Sequence, residues 1–110
     1  MTITKHFDCS KDDFYVRFIS SAQGFKKKIL AYSLIFNVVE EKHEFGIINM
    51  EISFNSFGMV YPAGTATVAY FEENGGTTCN ITIETPLSYR MYMGKIKNVF
   101  EEIFQRISNM

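Results

Sequence analysis

Apolar and polar positions recur with two different periods along this chain, and the change of period marks its elements. Between Lys26 and Glu41, the residues Leu30, Tyr32, Leu34, Phe36 and Val38 return at every second position. That is the period of a strand with one buried face. Its opposite face carries Ile29, Ala31, Ser33, Ile35, Asn37 and Val39, which is only half polar. After a turn at "EEKHE", Ile48, Met50, Ile52 and Phe54 alternate with Asn49, Glu51, Ser53 and Asn55. This second alternation predicts an antiparallel strand wet on one side. Two more strands flank Asn74-Gly75, a strong hairpin signal because both central residues of such a turn need positive φ. "SFGMVYPAG" reads as a continuation of the preceding strand, with a bulge or bend at Gly58 and a β-turn at Pro62. A leading strand is predicted near Thr2 to Asp8.

Two segments take helical spacing instead. Ser10 is a good N-cap, Asp12 and Asp13 suit the positive start of a helix, and Gly24 is a natural stop. Phe14 and Phe18, with Ile19 and Tyr15, give this short helix its apolar stripe. Near the C-terminus, Thr85 as N-cap and Pro86 at the first helical position predict a long helix. Its stripe is Tyr92, Ile96, Val99, Phe100, Ile103 and Ile107, and its wet face includes Lys95, Glu101, Glu102 and Arg106. Tyr89, Met91, Tyr92 and Met93 sit in its first turns, where they fill either a core or a pocket; core packing is the first expectation for Met91, Tyr92 and Met93, since Met is a natural gap-filler.

Parity fixes which residues meet. Opposed residues of an antiparallel pair share a face. The apolar sets of the strands before and after "EEKHE" are both even-numbered, so opposed positions must sum to an even number. The connecting loop then has three or five residues, or a bulge makes up the difference. With a two-residue turn at Asn74-Gly75, Tyr70 faces Cys79, Val68 faces Ile81 and Ala66 faces Ile83. These six point inward, while Thr67, Phe71, Thr78 and Thr82 point out.

Composition narrows the function classes. The chain has 110 residues, 46% of them hydrophobic, with 11 Phe and 6 Tyr. A chain of this length is read as one domain, residues 1–110, able to bury an aromatic core without metal or disulfide staples. Net charge is -1 and the signs are mixed, which disfavours nucleic acid as a partner, since that needs clustered Lys and Arg. The run Lys26 to Lys28 reads as a solvated strand entrance. Two Cys and two His offer no metal site, and Cys9 and Cys79 read as isolated thiols. No cofactor motif appears. His6 on the first strand and His43 in a charged turn lack an evident catalytic partner, so no enzyme is expected. Without a leader or an 18-residue apolar run, neither secretion nor a membrane is expected, and a cytoplasmic location is the default expectation.

The predicted class is α+β: a meander of about five antiparallel strands packed on a long C-terminal helix, in the order β-α-β-β-β-β-α. From "TITKHFDCSKDDFYVRF" to "YMGKIKNVFEEIFQRI" this order resembles a reduced helix-grip domain of the START-like or Bet v 1-like kind. The resemblance implies a binding module that holds a small hydrophobic ligand between sheet and terminal helix. Tyr32, Met50, Tyr70, Met91 and Tyr92 are the expected lining. The alternative is an interaction or structural domain with a filled core. It would act through an apolar outer sheet face as a homodimer, using Ile29, Ile35, Val39 and Phe71.

Overall fold

The structure is a computed structural model that describes all residues, Met1–Met110. Six antiparallel strands form one curled sheet: β1 (Thr2–Phe7), β2 (Phe25–Ile29), β3 (Tyr32–Lys42), β4 (Ile47–Ser56), β5 (Met59–Glu73) and β6 (Gly76–Glu84). Their order across the sheet is β1-β6-β5-β4-β3-β2. Helix α1 (Lys11–Ala22) follows β1, and helix α2 (Met93–Ser108) ends the chain. The α+β class is as expected, but the sheet has six strands rather than about five.

The additional strand comes from an unmarked reversal. The stretch read as one strand from Lys26 to Glu41 folds back at Leu30-Ala31, pairing Ile29 with Tyr32. A two-residue turn makes opposed positions sum to an odd number. Odd-numbered Phe25, Lys27 and Ile29 therefore share the concave face with even-numbered Leu34 and Phe36. Ile29, expected outside, packs against the core, and Leu30, expected inside, is exposed at the turn.

Elsewhere parity holds. Tyr70 pairs with Cys79, Val68 with Ile81 and Ala66 with Ile83, around Asn74 and Gly75 at φ 51° and 76°. Between β3 and β4 the pairing shifts from Val38↔Met50 to Glu40↔Asn49, so Val39 is the bulged residue that offsets the even-length loop His43–Gly46. Downstream of the bulge Glu41 opposes Ile48 and so turns toward the concave side. The β4–β5 turn falls at Phe57-Gly58, not at Pro62. Pro62 lies inside β5 beside a register shift, in the part of that strand that extends beyond β6. There it needs no ladder hydrogen bond on its second side.

The core is one cluster of 23 residues from all six strands and both helices. Phe36 meets Phe100 edge-on at 5.5 Å and Phe7 meets Phe104 at 5.5 Å, so α2 lies along the concave face. Phe14 packs against Tyr70 with ring centres 5.1 Å apart, seating α1 over one end of the same face. Ser10 caps α1 as expected, accepting from the Asp13 N–H at 3.1 Å. Both edge strands aim a lysine inward. Lys5 stands opposite Cys79, and Lys27 pairs with Glu102 at 3.3 Å. Inward charges of this kind discourage edge-to-edge pairing with another sheet.

Candidate functional site

The other end of the concave face is closed differently, because α2 does not begin where the Thr85-Pro86 signal predicts. Residues Leu87–Tyr92 form a 3-10 segment and the α-helix starts at Met93. Thr85 caps nothing, and its Oγ1 is buried without a partner. With three residues per turn, Tyr89 and Tyr92 fall on one side of the segment. They meet Phe54 at 5.6 and 5.3 Å, and Tyr92 meets Tyr32 at 5.2 Å. Tyr32 and Phe54 are themselves stacked at 4.6 Å. Four half-buried rings thus plug the end of the sheet that no α-helix covers. The Tyr32 Oη is buried and makes no hydrogen bond. Lys95 lies over the Tyr32 ring, 6.0 Å from its centre. Beside it, Lys27, Ile29, Lys95, Asn98, Val99 and Glu102 line a cleft of about 230 Å³ between β2 and α2.

The five residues expected to line a pocket separate into three places. Tyr32 and Tyr92 belong to this aromatic end. Met50 and Tyr70 are sealed in the core, 1% and 2% exposed. Met91 projects into solvent on the far side of the 3-10 segment, neither core nor lining. Phe54 and Tyr89 complete the ring cluster and were not on the expected lining. Their signal was the three-residue spacing of Tyr89 and Tyr92, which reads equally well as the first turn of an α-helix. Gly94 approaches nothing within 4 Å, so it does not mark a close helix–sheet contact.

The histidine expected in a solvated turn instead joins distant elements. His43 Nε2 lies 2.7 Å from Asp12 Oδ1 on α1, and Nδ1 lies 2.8 Å from Tyr70 Oη on β5. Tyr15 stacks on the His43 ring at 4.3 Å and donates its hydroxyl to Glu41. That hydrogen bond raises the Tyr15 pKa, with smaller contributions from burial and the Glu41 charge. Burial pushes the Tyr70 hydroxyl well above the usual tyrosine range, reinforced by Tyr15 and nearby carboxylates. An Asp–His–Tyr chain can orient and relay a proton, yet none of the principal surface clefts opens onto it. It acts as a clasp holding α1 against the sheet. His6 bonds Thr78 on the convex side at 3.0 Å.

The outer face expected to dimerise is not contiguous. Ile29 has moved to the concave side, Ile35 is half-buried, and Val39 and Phe71 lie on β3 and β5 with β4 between them. Both cysteines are free, and burial raises both thiol pKa values. No group of three or more His, Cys, Asp or Glu is placed to hold a metal. No helix is long and apolar enough to cross a membrane.

No family model matches the chain, and no curated protein matches it. Solved structures share its fold, among them the following three. DynU16, from the dynemicin biosynthetic locus, superposes with a TM-score of 0.67 at 9% identity, covering 99% of this chain and 45% of that one. This chain therefore spans less than half the length of DynU16. MLL2253 from Mesorhizobium loti gives 0.69 at 9% identity, covering 99% of this chain and 93% of that one. Ms6760 from Mycobacterium smegmatis gives 0.65 at 12%, covering 98% and 87%. At such identities the likeness is one of fold: a curled antiparallel sheet around a terminal helix.

Proposed function

We propose that the protein is a binding module for a small hydrophobic ligand, taken up at the aromatic end of a helix-grip-like scaffold. The observation that carries this is the packed ring cluster Tyr32, Phe54, Tyr89 and Tyr92, which closes the one stretch of concave sheet without helical cover. Rings held by a short 3-10 segment are displaced at less cost than a packed helix, because only part of each ring is buried and the segment has few backbone bonds. A buried Tyr32 hydroxyl without a partner gains from a ligand acceptor, since an unmade buried hydrogen bond costs about 1–3 kcal/mol. Lys95 at the rim favours a ligand with an anionic group, such as a short fatty acid. The adjoining cleft of about 230 Å³ is smaller than the roughly 300 Å³ of ordinary ligand pockets, so the rings must part on binding.

Titration of isotope-labelled protein with dodecanoate, followed by amide and aromatic NMR shifts, tests this. Shifts centred on Tyr32, Phe54, Tyr89 and Tyr92, weakened by Lys95→Gln, are expected. Saturating ligand with no shifts, or with shifts confined to the flank between β1 and α2, would overturn it.

A further inference from the structure

The aromatic end carries a second feature that the binding reading leaves unused. Its turns are tipped with bare apolar side chains. Leu30 is 89% exposed, Phe57 91%, Leu87 81% and Met91 78%. The turns are neighbours: Ile29 pairs with Tyr32, Tyr32 with Ser56, and Ser56 with Met59. Contacts of Tyr89 and Tyr92 with Phe54 bring the 3-10 segment, and with it Leu87 and Met91, to the same end. Met59 and Val60 add more than half-exposed apolar surface beside Phe57. Scattered single aliphatics on a surface need no explanation, but a cluster at one pole does.

Two of these residues are also held in a conformation that disfavours them. Leu30 and Phe57 both have φ 53°. A left-handed backbone suits Gly or Asn and is an outlier for bulky side chains. The chain meets the same demand at Asn74 with the usual residue. A strained, fully exposed Phe at a turn serves no packing purpose, and retained strain points toward function.

Charge is segregated along the same axis. The molecule measures 44 × 24 × 21 Å. No acidic residue occurs in residues 25–39, 52–71 or 85–100, the segments that contain the turns of the apolar pole. Lys28, Arg90 and Lys95 stand there without carboxylate partners. Six of the twelve carboxylates mark the opposite pole, Asp12 and Asp13 at the start of α1, Glu40 and Glu41 at the end of β3, Glu72 and Glu73 at the β5–β6 turn, while Glu102, nearer the apolar pole, is paired with Lys27.

We infer that this pole docks on an anionic lipid surface, with Leu30, Phe57, Leu87 and Met91 entering the acyl boundary and Lys28 and Arg90 meeting head groups. Peripheral binding grows with inserted apolar area and with attraction to anionic lipid, and needs no spanning segment. The acidic pole then faces away from the membrane, which fixes orientation. A protein partner would be met as well by an uncharged patch; the rim cations Lys28, Arg90 and Lys95, none with a carboxylate partner, are what favour a lipid surface. Docking uses the exposed turn tips rather than the ring cluster, so it stands apart from the ligand reading.

Co-sedimentation of the full chain with vesicles of phosphatidylcholine alone, and of phosphatidylcholine with phosphatidylglycerol, tests the inference. Partition onto the anionic vesicles is expected, reduced between about 0.1 M and about 0.5 M salt as screening shortens. Phe57→Ser with Leu87→Ser is expected to lower it at least tenfold, and Lys28→Gln with Arg90→Gln by about fivefold per charge. All four side chains are exposed, so circular dichroism should be unchanged. Equal partition of wild type and the apolar double variant, or no partition on either vesicle, overturns the proposal. So does concentration-dependent dimerisation in light scattering that the apolar variant abolishes without any vesicle binding, which would make the pole a protein interface. Vesicle binding with no dodecanoate shifts would refute the ligand reading alone.

Discussion

Replacing Phe57 by Asn should make this protein more stable and less able to dock. Two hairpins of the chain share one turn geometry: Asn74-Gly75 has φ 51° and 76°, and Phe57-Gly58 has φ 53° and 79°. Asn is several-fold enriched in the left-handed region, and a fivefold preference corresponds to about 1 kcal/mol. That agrees with the roughly 1–2 kcal/mol attributed to a side chain's left-handed strain. Little opposes it, because Phe57 is 91% exposed and its removal opens no cavity. A gain of about 1 kcal/mol raises the melting temperature of a domain near this size by about 4 °C. Thermal unfolding followed by circular dichroism reads the shift directly, and the vesicle assay reads the accompanying loss. A lowered or unchanged melting temperature would show that Phe57 makes contacts that matter to the fold. The strain-for-function reasoning would then fail, whatever the vesicles did. A stabilising change that removes activity is the pattern expected where selection has kept a strained site.

Other outcomes follow from the clasp and the buried thiol. His43→Ala leaves the sealed Tyr70 hydroxyl without its partner and is expected to cost about 1–3 kcal/mol in urea unfolding. Adding Tyr70→Phe to that variant should recover part of the loss, and no recovery would show that the hydrogen bond is not what His43 contributes. Gly46→Ala should be severe, about 3 kcal/mol or more, because a Cβ there would lie 2.1 Å from the Tyr70 carbonyl oxygen at a φ of 67°. Unfolding by urea would be needed to check that it is milder for Gly94→Ala, where nothing lies within 4 Å. Finally, Cys79 and Tyr70 hold their protons in the folded state, with pKa values raised by burial. The unfolded chain releases them from about pH 8.5 and about pH 10. Above those values the unfolded state binds fewer protons, so unfolding free energy should fall with pH, by up to about 1.4 kcal/mol per unit for each group. A stability that stays flat from pH 8 to about pH 11 would contradict the burial of both.

Much of the architecture was legible from local pattern. The even-numbered stripe of β3 and β4, the Tyr70–Cys79 rung and the line from Ile96 to Ile107 were all open to reading, because period and turn chemistry are properties of neighbouring residues. Asn74-Gly75 announces a reversal, and its two-residue loop forces the register. Parity allowed an odd-length loop or a bulge between β3 and β4; that the bulge is used, and at Val39, was not legible, since any residue near the loop restores the count.

What the pattern concealed are features that depend on residues far apart in the chain. Alternation runs unbroken through Ile29-Leu30-Ala31, so nothing local distinguishes a continuing strand from a reversal; only pairing of β2 with β3 decides, and it moves Ile29 inward. Phe57 gave no turn signal for the same reason that makes it interesting: its side chain disfavours the backbone it adopts. The His43 clasp joins α1, the loop after β3 and β5 across 31 and 27 positions, a meeting that neither spacing nor composition contains. The apolar pole is likewise assembled from three turns whose side chains are unremarkable singly. Local sequence sets periodicity and parity because steric and hydrogen-bond rules act between near neighbours. Which distant tips converge on one pole, and that six of the twelve carboxylates lie at the other, is set by sheet order and by where the terminal helix begins.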